Sequence, residues 1–113
     1  MFFFATVVQA QTGTLVTMKF NYFYANILPA IVVTYTGSGT IVANGTTPVH
    51  SGVWVKIEPD TSGTITLKVP LGQIVSLTEL ICDLGLFLSI DVSKCVALTN
   101  LQIGQSRLTT LDV

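Results

Sequence analysis

The sequence predicts a mainly β protein in two parts: a small β-sandwich or meander, capping the start of a solenoid of 21-residue repeats. Three observations carry that prediction. Leu77-Thr-Glu-Leu80-Ile-Cys82 recurs 21 residues on as Leu98-Thr-Asn-Leu101-Gln-Ile103, and the match continues from Ile90-Asp-Val92 into Leu111-Asp-Val113. A fixed period in this range marks stacked units that bury their apolar residues only against one another. Upstream, β-branched and aromatic runs alternate with Gly, Pro, Asn and Asp at turn spacing, and no stretch shows helical periodicity.

Residues 1–10, Met1-Phe-Phe-Phe-Ala-Thr-Val-Val-Gln-Ala10, form an apolar run whose Val8-x-Ala10 ending suits signal peptidase. The positively charged start and longer apolar core of a whole signal are missing. The run reads as the tail of a truncated export signal, which places the mature chain, from about Gln11, outside the cytoplasm as a secreted or cell-surface protein. An ordinary first strand is the alternative.

Residues 11–66 read as a β-rich capping domain. Ile31-Val-Val-Thr-Tyr35 meets Gly37-Ser-Gly39 and then Thr40-Ile-Val-Ala43, which predicts a hairpin. Asn44-Gly45 follows, the dipeptide that best accommodates the left-handed backbone of a type I′ turn. Val53-Trp-Val-Lys-Ile57 alternates as a strand, and Pro59-Asp-Thr-Ser-Gly63 turns the chain into Thr64-Ile-Thr-Leu-Lys-Val69.

Residues 67–113 hold the array, of about two repeats. With Leu77 and Leu98 at position 1, apolar residues recur at position 4 (Leu80, Leu101), 6 (Cys82, Ile103), 11 (Phe87, Leu108), 14 (Ile90, Leu111) and 16 (Val92, Val113). Ser93-Lys-Cys-Val-Ala97 also parallels Gly72-Gln-Ile-Val-Ser76, and Val69-x-Leu71 parallels Ile90-x-Val92, so the array starts in the last strand of the cap. Alternation turns Leu80 and Cys82 inward and Glu79, Ile81 and Asp83 outward. Parallel stacking then sets Glu79 beside Asn100, Ile81 beside Gln102 and Asp83 beside Gly104.

Composition narrows the function classes. Half the residues are apolar and 10% are charged, which excludes a solvated disordered chain. The apolar stretches are interrupted well short of the ~20 residues of a membrane span, so no transmembrane segment is expected. A net charge of -1 and the lack of a basic stripe argue against nucleic acid. No nucleophile motif, paired catalytic carboxylates, metal cluster or phosphate-binding glycine loop is present, so neither an enzyme nor a cofactor is expected.

Individual residues invite chemical readings. Trp54 and Tyr35, with the aromatics at 20 and 22–24, could form a sugar platform, although large aromatics in so short a chain more often fill the core. His50 has no second ligand at metal spacing and reads as a loop residue; Asp60 suits a turn. The repeated Asp91 and Asp112 are explained by loop hydrogen bonds better than by acid-base chemistry or calcium. Cys82 and Cys95 take aliphatic positions and read as buried free thiols rather than a disulfide.

Leu77-x-x-Leu80-x-Cys82 and Leu98-x-x-Leu101-x-Ile103 resemble the leucine-rich repeat family. Ile90-Asp-Val-Ser-Lys-Cys-Val-Ala-Leu98 and Leu108-Thr-Thr-Leu-Asp-Val113 are similar to the variant in exported bacterial proteins, where LTSLDVSKNTALTxL recurs many times. The resemblance covers roughly residues 67–113. Tyr35 to Thr46, through Ile57, is similar more weakly to the β segment that often precedes such arrays. Departures are Gly85 and Ser106 in place of the family's Asn, and Cys95 in its Ser-Lys-Asn phrase.

The resemblance implies a non-enzymatic protein-interaction or adhesion module that is a fragment of a longer array, with further repeats beyond Val113. Its partner is a protein or a surface glycan of unknown identity, met by Glu79, Ile81, Asp83, Asn100 and Gln102 on the outward strand face. The alternatives are a carbohydrate-binding β domain using Trp54 and Tyr35, and a purely structural cap and stalk.

Overall fold

The computed structural model describes residues 13–20, 29–83, 87–103 and 110–112. The proposed export signal at 1–10, the aromatics at 22–24, and Gly85, Gly104, Ser106, Leu108 and Val113 lie outside these residues.

Among the described residues ten strands form two sheets. They are β1 (Gly13–Phe20), β2 (Ala30–Gly37), β3 (Ile41–Ala43), β4 (Thr47–Val49), β5 (Val55–Lys56), β6 (Thr64–Val69), β7 (Val75–Asp83), β8 (Phe87–Asp91), β9 (Asn100–Ile103) and β10 (Thr110–Asp112). One sheet runs β10-β8-β1-β6-β3-β4, the other β5-β2-β7-β9. Their inner faces share one core, in which Val16, Met18, Ile41, Ile65, Leu67 and Ile90 from the first sheet meet Ile31, Val33, Val75, Leu77 and Leu80 from the second. Residues from both sides of the boundary read at 66/67 belong to that core.

The 21-residue period emerges as strand register. β7 and β9 pair in parallel, Glu79 with Asn100, Leu80 with Leu101, Ile81 with Gln102 and Cys82 with Ile103. In the opposite sheet β8 and β10 pair in parallel, Ser89 with Thr110, Ile90 with Leu111 and Asp91 with Asp112. Each repeat thus contributes one strand to each sheet. The Leu-x-x-Leu spacing is odd, which in a regular strand would put its two leucines on opposite faces. A β-bulge resolves this: Thr34 opposes Glu79 and Tyr35 opposes Leu77, so Thr78 is the extra residue, and Leu77 and Leu80 both point inward.

Three readings from the sequence are corrected. The Gly37-Ser-Gly39 segment does not close a hairpin, because β2 and β3 belong to different sheets. It carries the chain across the core: Gly37 has φ 121, Ser38 N donates to the Ile74 carbonyl and Thr40 N to Gln73 Oε1. Only Val55–Lys56 of the strand expected over residues 53–57 pairs. The backward extension of the repeat also fails beyond Val69. Leu71 is 98% exposed where its counterpart Val92 is buried, and Ile74 is exposed where Cys95 is buried. The cause is β1, which lies antiparallel between β6 and β8 and keeps β6 from pairing directly with β8.

Other local readings stand. Asn44 (φ 49) and Gly45 (φ 77) form the turn between β3 and β4, closed by Thr46 N donating to the Ala43 carbonyl. The Asn44 amide accepts from Thr66 N and donates to the Glu58 carbonyl, tying the turn to β6. The Asp60 carboxylate accepts from Ser62 N, Ser62 Oγ and Thr64 N, and the Ser62 hydroxyl, then the Thr64 amide, holds its pKa below the ordinary value. His50 is an exposed loop residue after β4. No helix among the described residues is long and apolar enough to cross a membrane.

Candidate functional site

The outward face of the four-stranded sheet gathers most of the binding residues expected from the sequence. Glu79 on β7 and Asn100 on β9 are ladder partners, and Asn100 Nδ2 donates to Glu79 Oε2 at 2.6 Å. From the other side Thr34 Oγ1, on β2, donates to Glu79 Oε1 at 2.9 Å. Gln102 Nε2 reaches Asn100 Oδ1 at 3.4 Å, a longer and weaker contact. Three strands are thereby crossed by a row of planar polar groups. Thr34 is the member that sequence reasoning missed; nothing local marks it, because it enters through antiparallel β2–β7 pairing across 45 residues.

One pair along lies a second row. Val32 opposes Ile81, and Ile81 opposes Gln102. Ile81 is half-buried, while Val32 is 7% exposed although it stands outside the shared core. Asp83 pairs with Ala30 at the end of β7; its side chain lies outside the described residues.

Trp54 lies at the far edge of this sheet, directly before β5. β5 pairs Val55 with Ile31 and Lys56 with Ala30, and further on Ser51 Oγ both donates to the Tyr35 carbonyl and accepts from Tyr35 N. The chain is thus tied to β2 at Ser51 and again at Val55–Lys56, with a turn closed by Val53 N donating to the His50 carbonyl between them. Val55 and Ile57 pack on the core, while Val53 and Trp54, just before β5, are both exposed. Trp54 is 53% exposed, which corrects the expectation that it fills the core. Tyr35 does not share its role. Half-buried against the core, Tyr35 commits its hydroxyl to the Val49 carbonyl at 2.9 Å.

The residues with chemical potential elsewhere serve the scaffold. Asp91 accepts from Ser93 N and Ser93 Oγ, and that hydroxyl, then the Ser93 amide, holds its pKa below the ordinary value. Both cysteines are buried and free. Burial pushes the Cys82 thiol up to about 12, and burial followed by the Asp91 charge pushes Cys95 up to about 11, so neither is a nucleophile at neutral pH. Cys95 Sγ donates to the carbonyl of Leu15, the bulged residue of β1. A cleft of about 260 Å³ on the other sheet is lined by Asn44, Gly45, Asp60, Thr66 and Lys68; Asn44 and Asp60 already hold turns there. Among the described residues no group of three or more His, Cys, Asp or Glu could hold a metal ion.

Comparison with known proteins finds no protein family, curated protein or solved structure that matches this chain.

Proposed function

We propose that this chain is a non-enzymatic binding module, part of an exported or cell-surface protein of leucine-rich repeat type, that meets a macromolecular partner through the outward face of β2, β7 and β9. The observation that carries the reading is the Thr34–Glu79–Asn100–Gln102 row. Polar groups that are half-buried or exposed, and positioned on strands rather than on loops, form a surface that keeps its geometry when a ligand arrives, which lowers the entropic cost of binding. Stacked repeats extend such a surface by one strand per unit. The leucine-rich repeat resemblance of residues 67–113 and the apolar start of the chain support the class and the location; the parallel β7–β9 and β8–β10 registers agree with coil stacking.

The test is binding of the labelled chain to a panel of immobilised extracellular-matrix proteins and polysaccharides, repeated with Glu79, Ile81 and Gln102 together replaced by Ala. Loss of at least about tenfold in affinity, with the far-UV spectrum retained, is expected. Unchanged affinity would place the site elsewhere.

A further inference from the structure

We propose that the ligand of this face is a neutral oligosaccharide lying across the strands, stacked on the Trp54 indole and hydrogen-bonded by Glu79, Asn100 and Gln102. The inference rests on the binding-face reading above and names its ligand.

The two rows differ in the chemistry they offer. Trp54 stands at the β5 edge, on the side of the Val32–Ile81 row, half-exposed on a backbone segment anchored to β2 by Ser51 and by β5 pairing. An exposed indole presents a flat apolar ring with a polar N–H, which suits the C–H face of a pyranose. The Glu79 row keeps hydrogen-bonding capacity after its internal bonds are made. Each Glu79 oxygen accepts one bond and retains a lone pair, Asn100 Nδ2 uses one of its two protons on Glu79, and the Gln102 carbonyl oxygen still accepts. Paired carboxylate and amide groups match the vicinal hydroxyls of a sugar, each of which donates and accepts. From β5 to β9 the face spans three inter-strand spacings, about 14 Å. That is room for more than one ring.

A protein partner fits the same face less well. A specific protein interface buries about 800 Å² on each side around an apolar centre. Here Val32 is already covered, which leaves the Trp54 ring and part of Ile81 as the exposed apolar surface of the rows. A polyanion is disfavoured at the rows themselves, where Glu79 is the one charged member among the described residues; Lys56 is exposed on β5 beyond them.

Trp54 is the one tryptophan of the chain, so its emission reports on the site directly. The full chain is titrated with cellopentaose, laminaripentaose, xylopentaose and maltopentaose, and its mobility is followed in native gels containing the corresponding polysaccharides. The expected result is a saturable blue shift with at least one of these sugars, and retardation in the matching gel. Trp54→Ala removes the retardation, while Glu79→Gln with Asn100→Ala weakens binding at least about tenfold with Trp54 still reporting. Far-UV spectra and thermal melts show that each variant remains folded. The inference falls if none of the four sugars shifts the emission and no gel retards the chain. It falls equally if binding survives Trp54→Ala. If, with no sugar bound, the triple Ala variant loses binding to an immobilised protein, the binding-face reading stands and the glycan inference alone is overturned.

Discussion

Asn100 Nδ2 donates to Glu79 Oε2 at 2.6 Å, so two residues 21 apart in the chain are joined across the first parallel step between repeats. The contact is charge-assisted and half-buried, and Thr34 holds the other carboxylate oxygen. Removing one partner leaves the carboxylate to be satisfied by water that reaches this partly exposed surface. Asn100→Ala should therefore cost about 1 kcal/mol in urea unfolding, and a double-mutant cycle between Glu79 and Asn100 should return a coupling of about 0.5–1 kcal/mol. A coupling near zero would mean that the row is an accident of side-chain placement.

Phe20 and Phe87 meet edge to face, with ring centroids 5.8 Å apart and planes at 72°. The contact ties β1 to the first residue of β8, and Phe87 is 1% exposed. Phe87→Ala should cost about 3–5 kcal/mol, a large fraction of the stability of a domain this size. Equilibrium unfolding checks it; a cost below about 1 kcal/mol would mean that β8 is not packed on β1 as described.

Two glycines at positive φ should respond differently to Ala. At Gly45 (φ +77) a Cβ meets nothing within 4 Å, so the cost is backbone strain alone, about 1 kcal/mol. At Gly37 (φ +121) a Cβ would run into the Ile74 carbonyl oxygen, where the chain crosses between sheets. Gly37→Ala adds a steric clash with backbone to the strain and should cost about 3 kcal/mol or more. Thermal melts of the two variants give the order directly, and a Gly45 variant less stable than the Gly37 one would contradict it.

Cys82 should make the fold sensitive to alkali. Its ordinary value of 9.0 is raised to about 12 by burial. Above pH 9 the unfolded chain gives up the thiol proton and the folded chain keeps it, so stability that is whole below pH 9 is lost progressively towards pH 12. The slope reaches up to about 1.4 kcal/mol per pH unit for a fully protected thiol. Urea unfolding at pH 8 and pH 10.5 should show a smaller loss for Cys82→Val than for the unsubstituted chain. Equal losses would mean that the thiol is not protected. Cys95, raised to about 11 mainly by burial, adds to the effect in the same direction.

Where chemistry is local or the register repeats, the sequence sufficed. Asn44-Gly45 turns because both residues tolerate positive φ, Asp60 caps its turn through bonds two to four residues away, and the 21-residue offset is itself the ladder register of β7 with β9 and of β8 with β10. What stayed hidden was which distant strands adjoin. β1 inserts between β6 and β8, and β2 leaves its predicted hairpin partner for β5 and β7. Antiparallel partners are chosen by how all the inward faces fill one core, a property of the whole chain, and no short window records it.

The same division runs through the candidate site. By itself the sequence determined that Glu79, Ile81, Asn100 and Gln102 share the outward side of two repeat strands, since alternation and a fixed period are enough to place them. Only the tertiary structure decided that Thr34 completes the Glu79 contacts, that Tyr35 turns its hydroxyl to Val49, and that Trp54 stands exposed at the β5 edge of the same sheet. Those three placements depend on β2 pairing with β7 on one side and β5 on the other, and that choice follows from burial of Ile31 and Val33 in a core closed by the opposite sheet.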